Sequence, residues 1–172
     1  VDLHLFALKK LGANIKIKNG YIFASAQKGL KGTKFKFPSI SVGATENAIL
    51  AAVLAKGKTI MENCAIEPEI MDLINFLKKL GAKIKIDVRK ISIERSIIQK
   101  KISHKVICDR IELGTYLIGG ALTAKNLKIK NADANLIRKE INILRKMGVR
   151  IKVNKNYLEV YKSKNIKNIN ID

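Results

Sequence analysis

Three segments of this chain are near copies of one another: Leu8-Lys-Lys-Leu-Gly-Ala-Asn-Ile-Lys-Ile17, Leu77-Lys-Lys-Leu-Gly-Ala-Lys-Ile-Lys-Ile86 and Leu144-Arg-Lys-Met-Gly-Val-Arg-Ile-Lys-Val153. Their glycines, Gly12, Gly81 and Gly148, stand 69 and 67 residues apart. That spacing is too long for a solenoid repeat and suits a small unit of helices and strands. Each copy reads as a helix end. Two cations occupy the last turn, where the helix dipole is negative, glycine takes the left-handed position beyond it, and an alternating strand begins at once.

Reading outward from these anchors gives one complete repeat over residues 34–95. It has a strand at 34–37, a helix at 44–55, a strand at 58–62, a helix at 68–80 opened by Pro68, and strands at 83–87 and 90–94. The order is βαβαββ. A second repeat follows the same order: strand 105–108, helix 112–124, strand 127–130, helix 135–147, and strands 150–153 and 157–161. Residues 1–24 hold only a helix and strands at 14–17 and 21–24, the tail of an earlier repeat. The chain lacks an initiating Met and reads as a fragment. Ser96–His104 matches neither repeat and is the candidate linker.

The helix Ala48-Ile-Leu-Ala-Ala-Val-Leu-Ala55 is apolar on every side, as nearly is Gly114–Ala124, and such helices are expected to be buried all round. The strands alternate apolar residues with Lys, so each has one wet face, which antiparallel and mixed sheets tolerate and doubly wound parallel sheets do not. Helices are therefore expected inside and sheets outside, with small residues such as Ala52, Gly119 and Gly120 letting inner helices approach closely. This excludes a Rossmann arrangement.

Charge needs an explanation of its own, because 34 Lys+Arg against 14 Asp+Glu gives a net +20. A basic nucleic-acid-binding module is the competing reading. Against it, the lysines are spread along strand faces and not gathered in one block, and the chain has no Trp and only 5% aromatic residues for stacking on bases. Specific nucleic-acid binding is not expected. No apolar run approaches bilayer length and no signal peptide opens the chain, so a cytoplasmic protein without membrane contact is expected. Cys64 and Cys108 lack metal-ligand spacing and read as buried thiols. His4 and His104 have no acidic, Ser or Cys partner at a meaningful spacing. Neither a metal nor a cofactor is expected.

Phe37-Pro-Ser-Ile-Ser-Val-Gly-Ala-Thr45 is a strand turning into a helix through Ser and Gly. Free N–H groups at the helix start, with Gly43 allowing close approach and Ser41 adding a hydroxyl, favour a phosphate or diphosphate. A plain Ser cap and turn produces the same pattern. Glu67-Pro68-Glu69 and Asp109-Arg-Ile-Glu112 place acids at helix starts, where the dipole alone accounts for them. No catalytic constellation is complete in these residues.

Ser41-Val-Gly-Ala-Thr-Glu-Asn47, Glu62-Asn-Cys-Ala-Ile-Glu-Pro-Glu-Ile70, Leu80-Gly-Ala82 and Asp109-Arg-Ile-Glu112 before Gly114-Thr115 resemble, in order and over essentially the whole chain, the UDP-N-acetylglucosamine enolpyruvyl transferases. The related shikimate-pathway enolpyruvyl transferases share the fold but lack the combination of SVGATEN and EPEI. The resemblance implies the inside-out α/β barrel of that type, two domains of three βαβαββ units with helices inside. Residues 1–103 would close one domain and 104–172 open the other. It also implies transfer of enolpyruvyl from phosphoenolpyruvate to the 3-hydroxyl of UDP-N-acetylglucosamine, the committed step of peptidoglycan synthesis, with consequences for cell shape and division.

Residue by residue, Val1-Asp2-Leu3 resembles the end of the family's uridine-binding segment, with Asp2 accepting from the base N–H. Ser39-Ile40-Ser41-Val42-Gly43 resembles the loop that receives the diphosphate. The family often has Lys where this chain has Ser39, so Lys34 and Lys36 are the candidate substitutes for that charge. The family's catalytic residues match no position here. The implied proton donor and phosphoenolpyruvate lysine precede Val1, and the implied general base lies past Asp172, so the chain alone is expected to be inactive.

Overall fold

A computed structural model describes residues 1–97 and 101–170. The chain divides into two compact bodies, Val1–Lys105 and Val106–Asp172. The N-terminal body comprises α1 (Asp2–Lys10), β1 (Asn14–Lys18), β2 (Tyr21–Ser25), β3 (Lys34–Lys36), α2 (Val42–Leu54), β4 (Lys58–Glu62), α3 (Pro68–Lys79), β5 (Lys83–Asp87) and β6 (Lys90–Glu94). The C-terminal body comprises α4 (Arg110–Thr123), β7 (Asn126–Lys130), a 3₁₀ turn at Ala134–Ile137, α5 (Arg138–Lys146), β8 (Arg150–Val153) and β9 (Tyr157–Tyr161).

The repeat seen in the sequence is a repeat of structure. Gly12, Gly81 and Gly148 follow α1, α3 and α5 with φ of +94°, +106° and +95°, a region that L side chains avoid. In both complete repeats the last strand of the hairpin pairs antiparallel with the strand preceding the second helix, β6 with β4 and β9 with β7. The N-terminal sheet runs β3-β4-β6-β5, with β3 parallel to β4, and the C-terminal sheet runs β7-β9-β8. β1 and β2 form a two-stranded hairpin.

One face of each of the two larger sheets is dry. Met61, Ile84, Ile91 and Ile93 lie buried with Ala48, Ile49, Ala52 and Val53 of α2 and Ile70, Ile74 and Leu77 of α3. Each large side chain buried this way contributes about 1.5–3 kcal/mol. In the C-terminal body Ile151, Leu158 and Val160 cover Leu113, Leu117 and Ala121 of α4. The lysines of these strands stay on the opposite, exposed face, as their alternation requires.

Three expectations need correction. The strand expected at Lys105–Cys108 is absent. Its counterpart β3 is held by Phe35 and Phe37, which pack edge-on against each other, with Phe6 of α1 edge-on to Phe35 and tilted against Phe37. Lys105–Cys108 offers Val106, 71% exposed, and half-buried Ile107 and Cys108, with no aromatic anchor, and it does not form a strand. The fifth helix begins with a 3₁₀ turn, capped by Asp133 at the Asn135 N–H, before α5 proper. Finally, the central helices are not buried all round. Leu50 and Leu54 of α2 are 51% and 64% exposed, and Ile111, Tyr116, Ile118 and Leu122 of α4 are exposed too. Among the described residues those stripes have no cover within their own body. The close approach foreseen for Gly120 is to the sheet: a Cβ there would come 2.7 Å from Val160 and 2.8 Å from Leu127.

Candidate functional site

The turn from β3 into α2 is built for a helix start with an open positive end. Ser41 is the N-cap, in extended conformation, and its Oγ accepts from the Ala44 N–H at 3.3 Å. The first turn of α2 holds no acid. The N–H groups of Val42 and Gly43 have no acceptor within the helix, as at any helix start, and the dipole adds partial positive charge there.

Several contacts fix this end in place. Buried Thr45 donates through Oγ1 to the Ser41 carbonyl at 2.7 Å and accepts from the Ala65 N–H at 3.0 Å, tying α2 to the turn after β4. Asn63, at φ +58°, donates to the Phe37 carbonyl at 2.9 Å. Cys64 beside it is fully buried, and burial pushes its thiol up to about 11. It is a packed thiol with no nucleophilic character at neutral pH.

α1 supplies the other wall. His4 Nδ1 lies 3.2 Å from Asn47 Nδ2. With the Asn47 amide donating, Nδ1 accepts and the ring proton sits on Nε2. A Cβ on Gly43 would come 3.2 and 3.3 Å from His4 Cε1 and Nε2. Gly43 therefore makes room for a histidine as well as for any ligand, and it belongs to the first turn of α2, not to the loop before it. This contact brings the start of α1, with Asp2 and Leu3, beside the start of α2.

Of the residues singled out in the sequence, Ser41, Val42 and Gly43 are half-buried at the start of α2, while Ser39 and Ile40 are exposed in the turn before it. Val1 is the exposed N-cap of α1, Asp2 is exposed in its first turn and Leu3 is half-buried. Lys34 is engaged with Glu62 at 3.3 Å, which leaves Lys36 as the better candidate to replace the charge missing at Ser39. The participation of His4 and Asn47 was not foreseen. A clue was available, since Glu46-Asn47 follows the SVGAT run on the same helix.

At the corresponding place in the C-terminal body, Asp109 caps α4 and accepts from the Ile111 and Glu112 N–H groups at 2.8 and 3.1 Å, with Glu112 adding a second acid in the first turn. That end is already neutralised by carboxylates. Asp172 lies outside the described residues. Among the described residues no three His, Cys, Asp or Glu side chains gather as a metal site, and no helix is long and apolar enough to cross a membrane.

A family model described as EPSP synthase (3-phosphoshikimate 1-carboxyvinyltransferase) matches residues 1–172. The chain is 55% identical over 172 residues to the UDP-N-acetylglucosamine 1-carboxyvinyltransferase of Pelagibacter ubique, covering 99% of this chain and 41% of that protein. It is 46% identical over 172 residues to the protein of the same name from Endomicrobium trichonymphae, with the same coverage. Against that of Rickettsia akari it is 48% identical over 152 residues, 88% of this chain and 36% of the relative. The chain thus spans about two-fifths of the length of these relatives. Among solved structures, the enolpyruvyl transferase NikO from Streptomyces tendae superposes with a TM-score of 0.77 at 19% identity, covering 95% of this chain and 42% of that one. The EPSP synthase of Acinetobacter baumannii superposes with a TM-score of 0.70 at 20% identity, covering 99% and 41%. These likenesses show the fold, the inside-out α/β type that the alternation of the strands had suggested.

Proposed function

The chain belongs to the EPSP synthase (3-phosphoshikimate 1-carboxyvinyltransferase) family, and from that premise we propose that it is part of the cytoplasmic enzyme that moves enolpyruvyl from phosphoenolpyruvate to the 3-hydroxyl of UDP-N-acetylglucosamine. The shared name of relatives at 46–55% identity favours the sugar nucleotide over shikimate phosphate. The two bodies, Val1–Lys105 and Val106–Asp172, would belong one to each domain. The exposed apolar stripes of α2 and α4 are then the surfaces that the rest of the polypeptide covers.

The observation that carries the proposal is the acid-free, serine-capped start of α2 beside the start of α1. The Val42 and Gly43 N–H groups and the Ser41 hydroxyl would hold the diphosphate, in a turn made by Ser39 and Ile40, while Val1, Asp2 and Leu3 would meet the uracil, with Asp2 accepting from its N–H. These residues bind and orient. They supply no proton donor and no base, so the 172-residue chain by itself should show no turnover.

The test is calorimetry with UDP-N-acetylglucosamine on the complete polypeptide. Ser41→Asp is the variant of choice, because Asp caps a helix as well as Ser while setting a carboxylate against the diphosphate. Affinity should fall by about 100-fold or more, the scale of a like-charge contact in a binding site. Asp2→Ala should weaken binding less and leave the fold intact. A folded Ser41→Asp protein with unchanged affinity would reduce Ser41–Gly43 to an ordinary cap and turn.

A further inference from the structure

Outside the start of α2, one cluster of polar side chains in the N-terminal body serves no purpose in the proposed function. His104 has its Nε2 3.1 and 3.2 Å from the two carboxylate oxygens of Asp72. Its ring lies 5.2 Å, centroid to centroid, from that of Phe76, and its Nδ1 is 3.5 Å from Lys79 Nζ. Asp72, Phe76 and Lys79 fall at i, i+4 and i+7 of α3, one stripe along the helix. The histidine and aspartate side chains are only 9% and 16% exposed, although His104 belongs to no helix or strand. With Nε2–H donating to Asp72, Nδ1 is left to accept from Lys79, so both ring nitrogens are used.

The other end of the same stretch is also held. Ser96 is buried; its Oγ accepts from the Lys83 N–H and donates to the Glu94 carbonyl, and its own N–H donates to the Val53 carbonyl. Beyond His104 the character changes. Lys105 and Val106 are exposed, and no hydrogen bond from Lys105–Ile107 is found among the described residues. The C-terminal body begins at Val106.

We infer that His104 is an anchor that fastens the end of the connecting stretch to α3, so that the free joint between the two bodies is the short run Lys105–Ile107, ahead of Cys108, which packs in the C-terminal body and accepts from the Asp133 N–H, and not the whole of Ser96–His104. A histidine bonded to a carboxylate and tilted against an aromatic ring fixes the chain, and the residues that follow offer no comparable contact. A joint of three residues restricts the paths by which one body can turn on the other. A loose stretch of more than twice that length would not.

The test uses the whole 172-residue chain and two variants, His104→Ala and Asp72→Ala, each read by amide relaxation and by limited trypsin digestion. In the unmodified chain, order parameters at 101–104 should stay near the rigid value of about 0.85 and those at 105–107 should fall below about 0.6. Trypsin should cut after Lys105 well before Lys101. Either variant should free 101–104 and raise cleavage after Lys101 by about tenfold or more, since cleavage follows the open population, while amides of α3 and β6 remain as they were. Equal mobility of 101–104 and 105–107 in the unmodified chain would overturn the inference. So would a rigid 101–104 in both variants. If His104→Ala fails to fold, Asp72→Ala alone decides, because it removes an acceptor from a helix surface and nothing from the core.

Discussion

Ser41 and Asp109 occupy the same position of the repeat, each the N-cap of the first helix of its βαβαββ unit, and they leave those helices electrostatically opposite. Ser41 caps α2 through a neutral hydroxyl, with no acid in the first turn, so the dipole's positive end remains available to an anion. Asp109 caps α4 through a carboxylate that takes two N–H groups, with Glu112 behind it, and the same end is filled from within. The packing beneath is alike: both helices lie on the dry face of an antiparallel ladder whose hairpin returns to the middle strand. Duplicated architecture therefore does not duplicate the electrostatics of a helix start. One side chain at the cap decides whether that start stays open to an anion or is satisfied from within.

The largest effect expected from breaking this comparison lies in the part the two repeats share. Ala52 of α2 is fully buried, and Ala52→Arg would bury an unpaired cation, costing about 3–5 kcal/mol. Leu50→Arg, on the exposed stripe of the same helix, should cost little in this chain. Thermal melts of the two variants check this, and equal losses would mean that the stripe is covered. Gly120 stands at the corresponding position of α4. Gly120→Ala should cost about 1–3 kcal/mol through overpacking against Val160 and Leu127, read as a lower melting temperature of the C-terminal body.

A smaller effect separates the caps. Asp109→Ala should cost about 1 kcal/mol or somewhat more, because two N–H groups lose their acceptor, and Ser41→Ala about 1 kcal/mol or less. Urea titration would rank them; the reverse order would show that the dipole at α4 is not met by Asp109. The smallest difference is chemical. Cys64, held up to about 11 by burial, should remain unlabelled by a thiol reagent at pH 8 until the protein unfolds, whereas half-buried Cys108 should react in the native state. Native stability should fall through this group as pH rises from about 9, where the unfolded chain releases the thiol proton, and level off near 11, where the folded chain releases it too. Early labelling of Cys64 would contradict its burial.

Much of this was legible in the sequence because it rests on local rules. The three helix ends with their glycines, the start of α3 at Pro68 and the three β-hairpins follow from spacing and turn chemistry alone, and strands β4, β5, β6, β8 and β9 fall at the expected residues. What was not legible depended on partners distant in sequence. Lys105–Cys108 has the short apolar run of a strand but lacks the phenylalanines that hold β3. His104 had no acidic neighbour in sequence, and its carboxylate, Asp72, comes from a helix more than 30 residues earlier. His4 meets Asn47 across a similar gap, and only the fold could show that Gly43 accommodates an imidazole. The exposure of Leu50 and Leu54 was not legible either, since an apolar run along a helix does not say which of its sides a neighbour covers.

The most direct measurement is a titration of the isotope-labelled complete polypeptide with UDP-N-acetylglucosamine, following the backbone amides at the two helix starts. Saturable shifts at Val42, Gly43 and Ala44, with none at Ile111 and Glu112, are the expected result. Shifts at Ile111 and Glu112 equal to those at Val42–Ala44, or saturation of the enzyme without any change at Val42–Ala44, would contradict the assignment of the diphosphate to the serine-capped helix.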